Sequence, residues 1–240
     1  MMRVLITGTS SGIGHAAARM FLDRGAEVVG LDLKECPTLA GWERYRHYVV
    51  DICEEEKLPD AGRFDIVVNN AGVQTPSLRG TGRDIRANLC GAINVTERYA
   101  FQPQIRSVLF NASASGITGD EFPEYAASKA GVIGYMRNCA KRLAAEFRAT
   151  CNATCFGGVR TDSNSPVTED ADLWKRIMDV TPLRRWATAE EAAEWIYFLT
   201  AVNRFCTGQA IVIDGGEKDC NSTFVWPVSE ASVTSATATR

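Results

Sequence analysis

The opening of the chain constrains its fold more than any other stretch. Val4 to Ile6 form a short apolar run of the kind that makes a buried strand. The run breaks at Thr7 into a loop with glycines at 8, 12 and 14, and Ala16 to Leu22 then begin a helical pattern. Strand, glycine-rich turn and helix together make a phosphate cradle. Backbone approaches a pyrophosphate closely only where no Cβ intervenes, and a helix N-terminus offers free N–H groups at its positive end. Gly8, Ser11, Gly12, Ile13 and Gly14 are therefore the expected phosphate-binding residues of a dinucleotide site.

The next signals fit a dinucleotide. Ala26 to Leu31 read as a second strand ending on Asp32, eighteen residues beyond Gly14. A carboxylate at about that distance accepts hydrogen bonds from ribose hydroxyls and repels a 2′-phosphate. Neither Ser10, Ser11 nor Leu33 is a cation, so the expected cofactor is NAD (NADH) rather than NADP. Arg46 to Val50, Asp65 to Val68, Ser107 to Phe110, Thr150 to Phe156 and Gln209 to Asp214 read as further strands. Helical patterns run over 84–100, 124–147, 171–179 and from Thr188 to about Ala201. This alternation predicts an α/β fold: a single-domain, Rossmann-like, doubly wound sheet of about seven parallel strands flanked by helices, with ligand over the strands' carboxyl ends. Asp51 and Ile52, the run Asn69-Asn70-Ala71-Gly72, Ser113 and Gly157 all fall at such ends.

Composition removes other classes. With 26 Lys and Arg against 29 Asp and Glu, the net charge of −3 gives no reason to expect nucleic acid or an anionic membrane as partner. The 8 cysteines form no C-x-x-C pair and the 2 histidines lie far from any ligand-like cluster, so no metal site is expected. Scattered cysteines in apolar segments point to a reducing cytoplasm. No apolar run approaches a membrane span, and a first strand at residue 3 is expected to leave no room for a leader.

Tyr125 and Lys129 stand four apart at a helix start and so share a face. A free phenol has a pKa of about 10, and a neighbouring ammonium is expected to lower it toward the range useful for proton exchange. Ser113, on the preceding strand end, is placed to hydrogen-bond the same substrate oxygen. Such a set suits hydride transfer between an alcohol or ketone and a nicotinamide.

In these motifs, in this order, the chain resembles the short-chain dehydrogenase/reductase family of the compact, single-domain type: Thr7-Gly8-x-x-x-Gly12-Ile13-Gly14, Asn69-Asn70-Ala71-Gly72, Asn88, Ser113 and Tyr125-x-x-x-Lys129. The likeness runs from Arg3 to about Gly216. It implies that Asn88, Ser113, Tyr125 and Lys129 are catalytic: serine orients substrate, tyrosine exchanges the proton, lysine also holds the nicotinamide ribose, and asparagine supports a water-linked relay. It implies cofactor contacts from Leu33, Asp51, Ile52, Asn70, Ala71, Gly72, Tyr125 and Lys129, and nicotinamide contacts from Val159 and Thr161. It also implies a homo-oligomer, tetramer or dimer, packed through the helices over 84–100 and 124–147. Three departures stand out. Phe156 occupies a position where the family usually has proline, the connection from Gly72 to Asn88 is short, and residues 217–240 extend past the usual end. That extension, with Phe224 to Pro227, is expected to be partly flexible or to cover a pocket.

The expected substrate-pocket residues are Ser115, Phe122, Phe156, Trp174 and Met178, with Ile117, Thr118 and Trp186 beside them. Their apolar and aromatic character predicts a small-molecule secondary alcohol or ketone of hydroxysteroid (bile acid) type. A 3-oxoacyl-type carbonyl reductase or a polyol or sugar dehydrogenase are alternatives. A non-catalytic NAD-binding regulator is disfavoured because Tyr125 and Lys129 are both present.

Overall fold

The fold was taken from a computed structural model, which describes residues 1–220. Seven strands form one parallel sheet: β1 (Arg3–Thr7), β2 (Glu27–Asp32), β3 (Tyr45–Val49), β4 (Ile66–Asn69), β5 (Ser107–Asn111), β6 (Thr150–Phe156) and β9 (Ala210–Ile213). Their order is β3-β2-β1-β4-β5-β6-β9. A pair of two-residue strands, β7 (Val159–Arg160) and β8 (Ala187–Thr188), lies apart from the main sheet. The strand order reverses between β1 and β4, and in such sheets the crevice above that reversal is where a ligand settles. The expected fold class is therefore the observed one.

The helices cover both faces. On one side, α1 (Gly12–Asp23) and α7 (Ala189–Tyr197) bury Ala17, Phe21, Ala193 and Ile196 against Val4, Ile6, Val28 and Val68. On the other, α2 (Gly91–Tyr99) and α4 (Pro123–Phe147) bury Val95, Val132, Met136 and Leu143 against Leu5, Val67, Val108 and Phe110. Strands covered on both faces carry apolar residues in unbroken runs, which is why β1 and β4 read so clearly. Local signals also hold. Gly25 closes α1 in the left-handed conformation, at φ +80°. Thr188 caps α7 through a reciprocal capping box with Glu191.

Two expectations change. The helix anticipated over 84–100 is not uniform: residues Ile85–Cys90 form a wide π turn before α2 begins. Short helices α3 (Ser115–Thr118) and α5 (Ser165–Thr168) were not anticipated; α6 (Ala171–Val180) was. Phe224 to Pro227 lie outside the described residues.

Candidate active site

The glycine loop has the geometry of a phosphate cradle. Gly8 and Gly12 hold positive φ of +77° and +56°, open to glycine and costly for other residues. A Cβ added at Gly14 would lie 2.1 Å from the Gly8 carbonyl oxygen and 2.4 Å from Asn70 Nδ2, so loop and helix pack without room for a side chain. Ser11 precedes α1 in extended conformation, and no side chain caps the helix or adds acid to its first turn. Its N–H groups therefore suit the phosphates of a dinucleotide. Asp32, at the end of β2, accepts the Ser10 and Lys34 N–H groups at 2.9 and 3.0 Å, which fixes its carboxylate over the loop. Leu33 and Asp51 line one shallow recess of about 290 Å³. Ile52 instead turns its side chain into the core, where a Cβ on Gly91 would meet it at 2.7 Å. Val159 is buried beside Phe156, and Thr161 lies against Gly12.

The reversal point is stitched by side chains. Thr7 Oγ1 accepts the N–H groups of Asn70 and Ala71 at 3.0 and 2.9 Å. Asn70 Nδ2 donates to the Thr7 carbonyl at 3.0 Å, and Asn111 Nδ2 donates to Asn70 Oδ1 at 2.8 Å. The ends of β1, β4 and β5 are thereby held in register. Lys129 Nζ then donates to the Asn111 carbonyl at 2.8 Å.

Around that ammonium the remaining groups converge. A Cβ on Gly72 would lie 2.9 Å from Asn88 Oδ1 and 3.3 Å from Lys129 Nζ, so all three meet at one point. Asn88, in the π turn, accepts the Val73 N–H at 2.7 Å and donates to the Val73 carbonyl at 2.9 Å and to Ser128 Oγ at 2.8 Å. Both of its amide hydrogens and one lone pair of its oxygen are thus engaged by protein. Such wide turns recur at functional sites because they re-aim a helical side chain. Lys129 is buried, and desolvation pulls its pKa down to about 8. Its Nζ stands 5.6 Å from the centre of the Tyr125 ring. Burial pushes the Tyr125 phenol up to about 12, with the Ser113 hydroxyl opposing and the Glu121 and Asp84 carboxylates reinforcing. In the protein alone burial therefore holds the phenol above its ordinary value, and Ser113, not Lys129, supplies the opposing effect. Ser113 Oγ is buried and within 3.2 Å of both the Ser115 hydroxyl and its N–H.

Comparisons with known proteins agree with this geometry. A family model described as enoyl-(acyl carrier protein) reductase matches residues 8–218. The chain belongs to the short-chain dehydrogenase/reductase family. It is an oxidoreductase of alcohol and ketone groups. It is 33% identical over 240 aligned residues to the 3-oxoacyl-(acyl-carrier-protein) reductase FabG of Thermotoga maritima, covering 88% of this chain and 96% of the relative. It is 31% identical over 248 aligned residues to a glucose 1-dehydrogenase of Gluconobacter oxydans, covering 89% and 91%. Its fold also matches a 4-hydroxyisoleucine dehydrogenase complexed with NADH, at a TM-score of 0.80 and 24% identity over 91% of this chain and 99% of that one.

The substrate side of this short-chain dehydrogenase/reductase differs from the apolar wall expected. Trp174 and Trp186 make an edge-to-face pair with centroids 5.1 Å apart, and Met178 is half-buried on the same helix as Trp174. Trp186 lies flat on Gly158, where a Cβ would come within 2.0 Å of the indole. Phe122 directly precedes α4 and is half-buried. Phe156 is nearly closed to solvent. It is buried with Val159 and Ala192 against Ile13, Ala187 and Ile213, where it serves as packing. Polar residues missed in the sequence take part instead. Gln74 Nε2 donates to Glu121, a residue exposed overall whose carboxyl is nonetheless pushed up by desolvation, with the Ser115 hydroxyl and the Gln74 amide opposing. Glu217 accepts Thr181 Oγ1 at 2.5 Å, and its Oε2 would stand 3.1 Å from a Cβ on Gly157. Glu124 ties the short 73–83 connection to α4: its carboxylate accepts the N–H groups of Thr81, Asp84 and Ile85, the last two at 2.9 and 3.3 Å.

Proposed function

We propose that this protein interconverts a secondary alcohol and a ketone by hydride transfer with NAD, using Tyr125 as the acid and base. The observation that carries the reading is the convergence of Ser113, Tyr125 and the buried Lys129 beside the glycine cradle. Bound at that cradle, NAD supplies the hydride acceptor. Tyr125 Oη exchanges the proton with the substrate oxygen, and Ser113 Oγ hydrogen-bonds the same oxygen. Lys129, a cation near neutral pH, favours the phenolate as it forms. Asn88 is a positioning residue, since its amide is spent on Val73 and Ser128. Asp32 supports the preference for NAD through its charge over the loop.

Among the apolar readings of the pocket, the hydroxysteroid type draws its support from Trp174, Met178 and Trp186, with Phe156 buried in packing. The relatives divide between acyl-carrier and sugar substrates by name. Trp195, Phe198, Val202 and Phe205 expose large apolar side chains along α7 and the turn after it, a face suited to homo-oligomer contact. All 8 cysteines are free thiols, which suits a reducing cytoplasm. Among the described residues, no helix is long and apolar enough to cross a membrane.

Tyr125→Phe tests the central reading. General acid–base catalysis contributes about 100- to 10,000-fold, so turnover falls by that order while NADH binding, followed by fluorescence, persists. Undiminished turnover rejects the assignment.

A further inference from the structure

The groups facing the reacting centre from the substrate side are polar at their heart and aromatic at one flank. Ser115, directly hydrogen-bonded to Ser113, begins the polar series. Glu121 follows, in a left-handed backbone conformation at φ +71° that a non-glycine residue adopts only under constraint. Gln74, from the loop after β4, donates to its carboxylate. The Glu121 carboxylate lies near enough for its charge to bias Tyr125, Lys129 and Glu217. Glu217 reaches in from beyond β9 beside Gly157, with the Trp186 indole as a further hydrogen-bonding neighbour. Trp186 and Trp174 supply the aromatic flank.

We infer that this pocket selects a small, uncharged polyhydroxylated substrate, a sugar or polyol, with Glu121 as the specificity-determining residue. The inference rests on the reading of Ser113, Tyr125 and Lys129 as the hydride-transfer centre. A carboxylate accepts several hydrogen bonds and donates none, so two of them with one amide match the many O–H donors of a polyol. Indole faces cover the C–H faces that such a substrate also presents. A steroid nucleus fits worse: it would cover Glu121 and Glu217 with hydrocarbon and leave their desolvation uncompensated. An anionic thioester carrier would meet like charge.

The test uses the full chain with NAD and a panel of aldoses and alditols, a hydroxysteroid, a 3-hydroxyacyl thioester and cyclohexanol. At least one aldose or alditol is expected to exceed the steroid, the thioester and cyclohexanol in kcat/KM by tenfold or more. Glu121→Ala raises KM for that substrate at least tenfold, and Glu121→Gln, which keeps one acceptor, falls between. The same order appears in calorimetric binding of the sugar to a Tyr125→Phe–NADH complex, with the NADH dissociation constant serving as the folding control. Preference for the steroid, the thioester or cyclohexanol overturns the polyol assignment alone. So does an unchanged KM in Glu121→Ala with NADH still bound. No turnover of any compound by a protein that binds NADH overturns the hydride-transfer reading and the inference with it.

Discussion

Lys129 holds its ammonium 5.6 Å from the centre of the Tyr125 ring, and burial drives the two pKa values apart, the phenol up to about 12 and the amine down to about 8. Each shift disfavours the charged form. At neutral pH the pair is a neutral phenol beside a charged amine, one proton transfer from the state an alcohol oxidation needs.

The lysine gives a stability prediction with a defined sign. Its folded pKa lies below its ordinary 10.5, so between about pH 8 and pH 10.5 the unfolded chain binds more protons. Stability from this group therefore rises with pH across that window and is least below pH 8. Lys129→Met removes the term. Whatever constant cost follows from losing the Asn111 contact, the difference in Tm between variant and wild type should favour the variant more at pH 7 than at pH 10, by differential scanning fluorimetry. A difference independent of pH would show that burial does not penalise this ammonium.

Asp32 is expected to govern cofactor choice. Its carboxylate is pinned by two backbone N–H groups and cannot easily turn away from a 2′-phosphate. Wild-type kcat/KM should favour NAD over NADP by at least about tenfold, an electrostatic difference of about 1.4 kcal/mol. Asp32→Ala should narrow that ratio chiefly by improving NADP. Equal use of both cofactors by the wild type would remove Asp32 from this role.

Glu124 sits next to Tyr125 in sequence but acts on a different helix. Desolvation raises its carboxyl pKa, and the N–H groups of Thr81, Ile85, Gly82 and Asp84 outweigh it, leaving the value below 4.5. Stability from this contact is therefore present above the unfolded value and lost as pH falls through the folded one. Glu124→Ala should lower Tm at pH 7 and lower kcat more than NADH affinity, because the turn carrying Asn88 loses its anchor. Thermal unfolding and steady-state kinetics read both, and an unchanged kcat with a lowered Tm would leave Glu124 a purely structural residue.

The sheet and the cofactor cradle were legible because their signals are local. Gly8, Gly12, Gly14 and Gly25 are dictated by backbone needs within a few residues, and buried parallel strands write themselves as apolar runs. The substrate side was not. Gln74 meets Glu121 across 47 positions, and Glu217 joins them from the chain's far end, with no periodicity to announce either. The packing of Phe156 was hard to read because every residue of β6 is buried, so alternation along the strand does not tell wall from core. The π turn at Ile85–Cys90 was hidden because an extra residue in one turn hardly disturbs a short apolar pattern. The upward Tyr125 shift was not legible because it comes chiefly from desolvation, which residue spacing does not reveal.

The reversal of strand order between β1 and β4 has an engineering meaning. Asp32 and the glycine loop come from the arm of the sheet that runs β1, β2, β3, while Ser113, the α3–α4 turn, Trp186 and Glu217 come from the arm that runs β4, β5, β6, β9. On the proposed reading, oxidant choice and substrate choice are written in separate stretches of the chain. Each can be exchanged as a cassette, with Thr161 over Gly12 and the Thr7–Asn70–Asn111 stitch as joints to be left untouched.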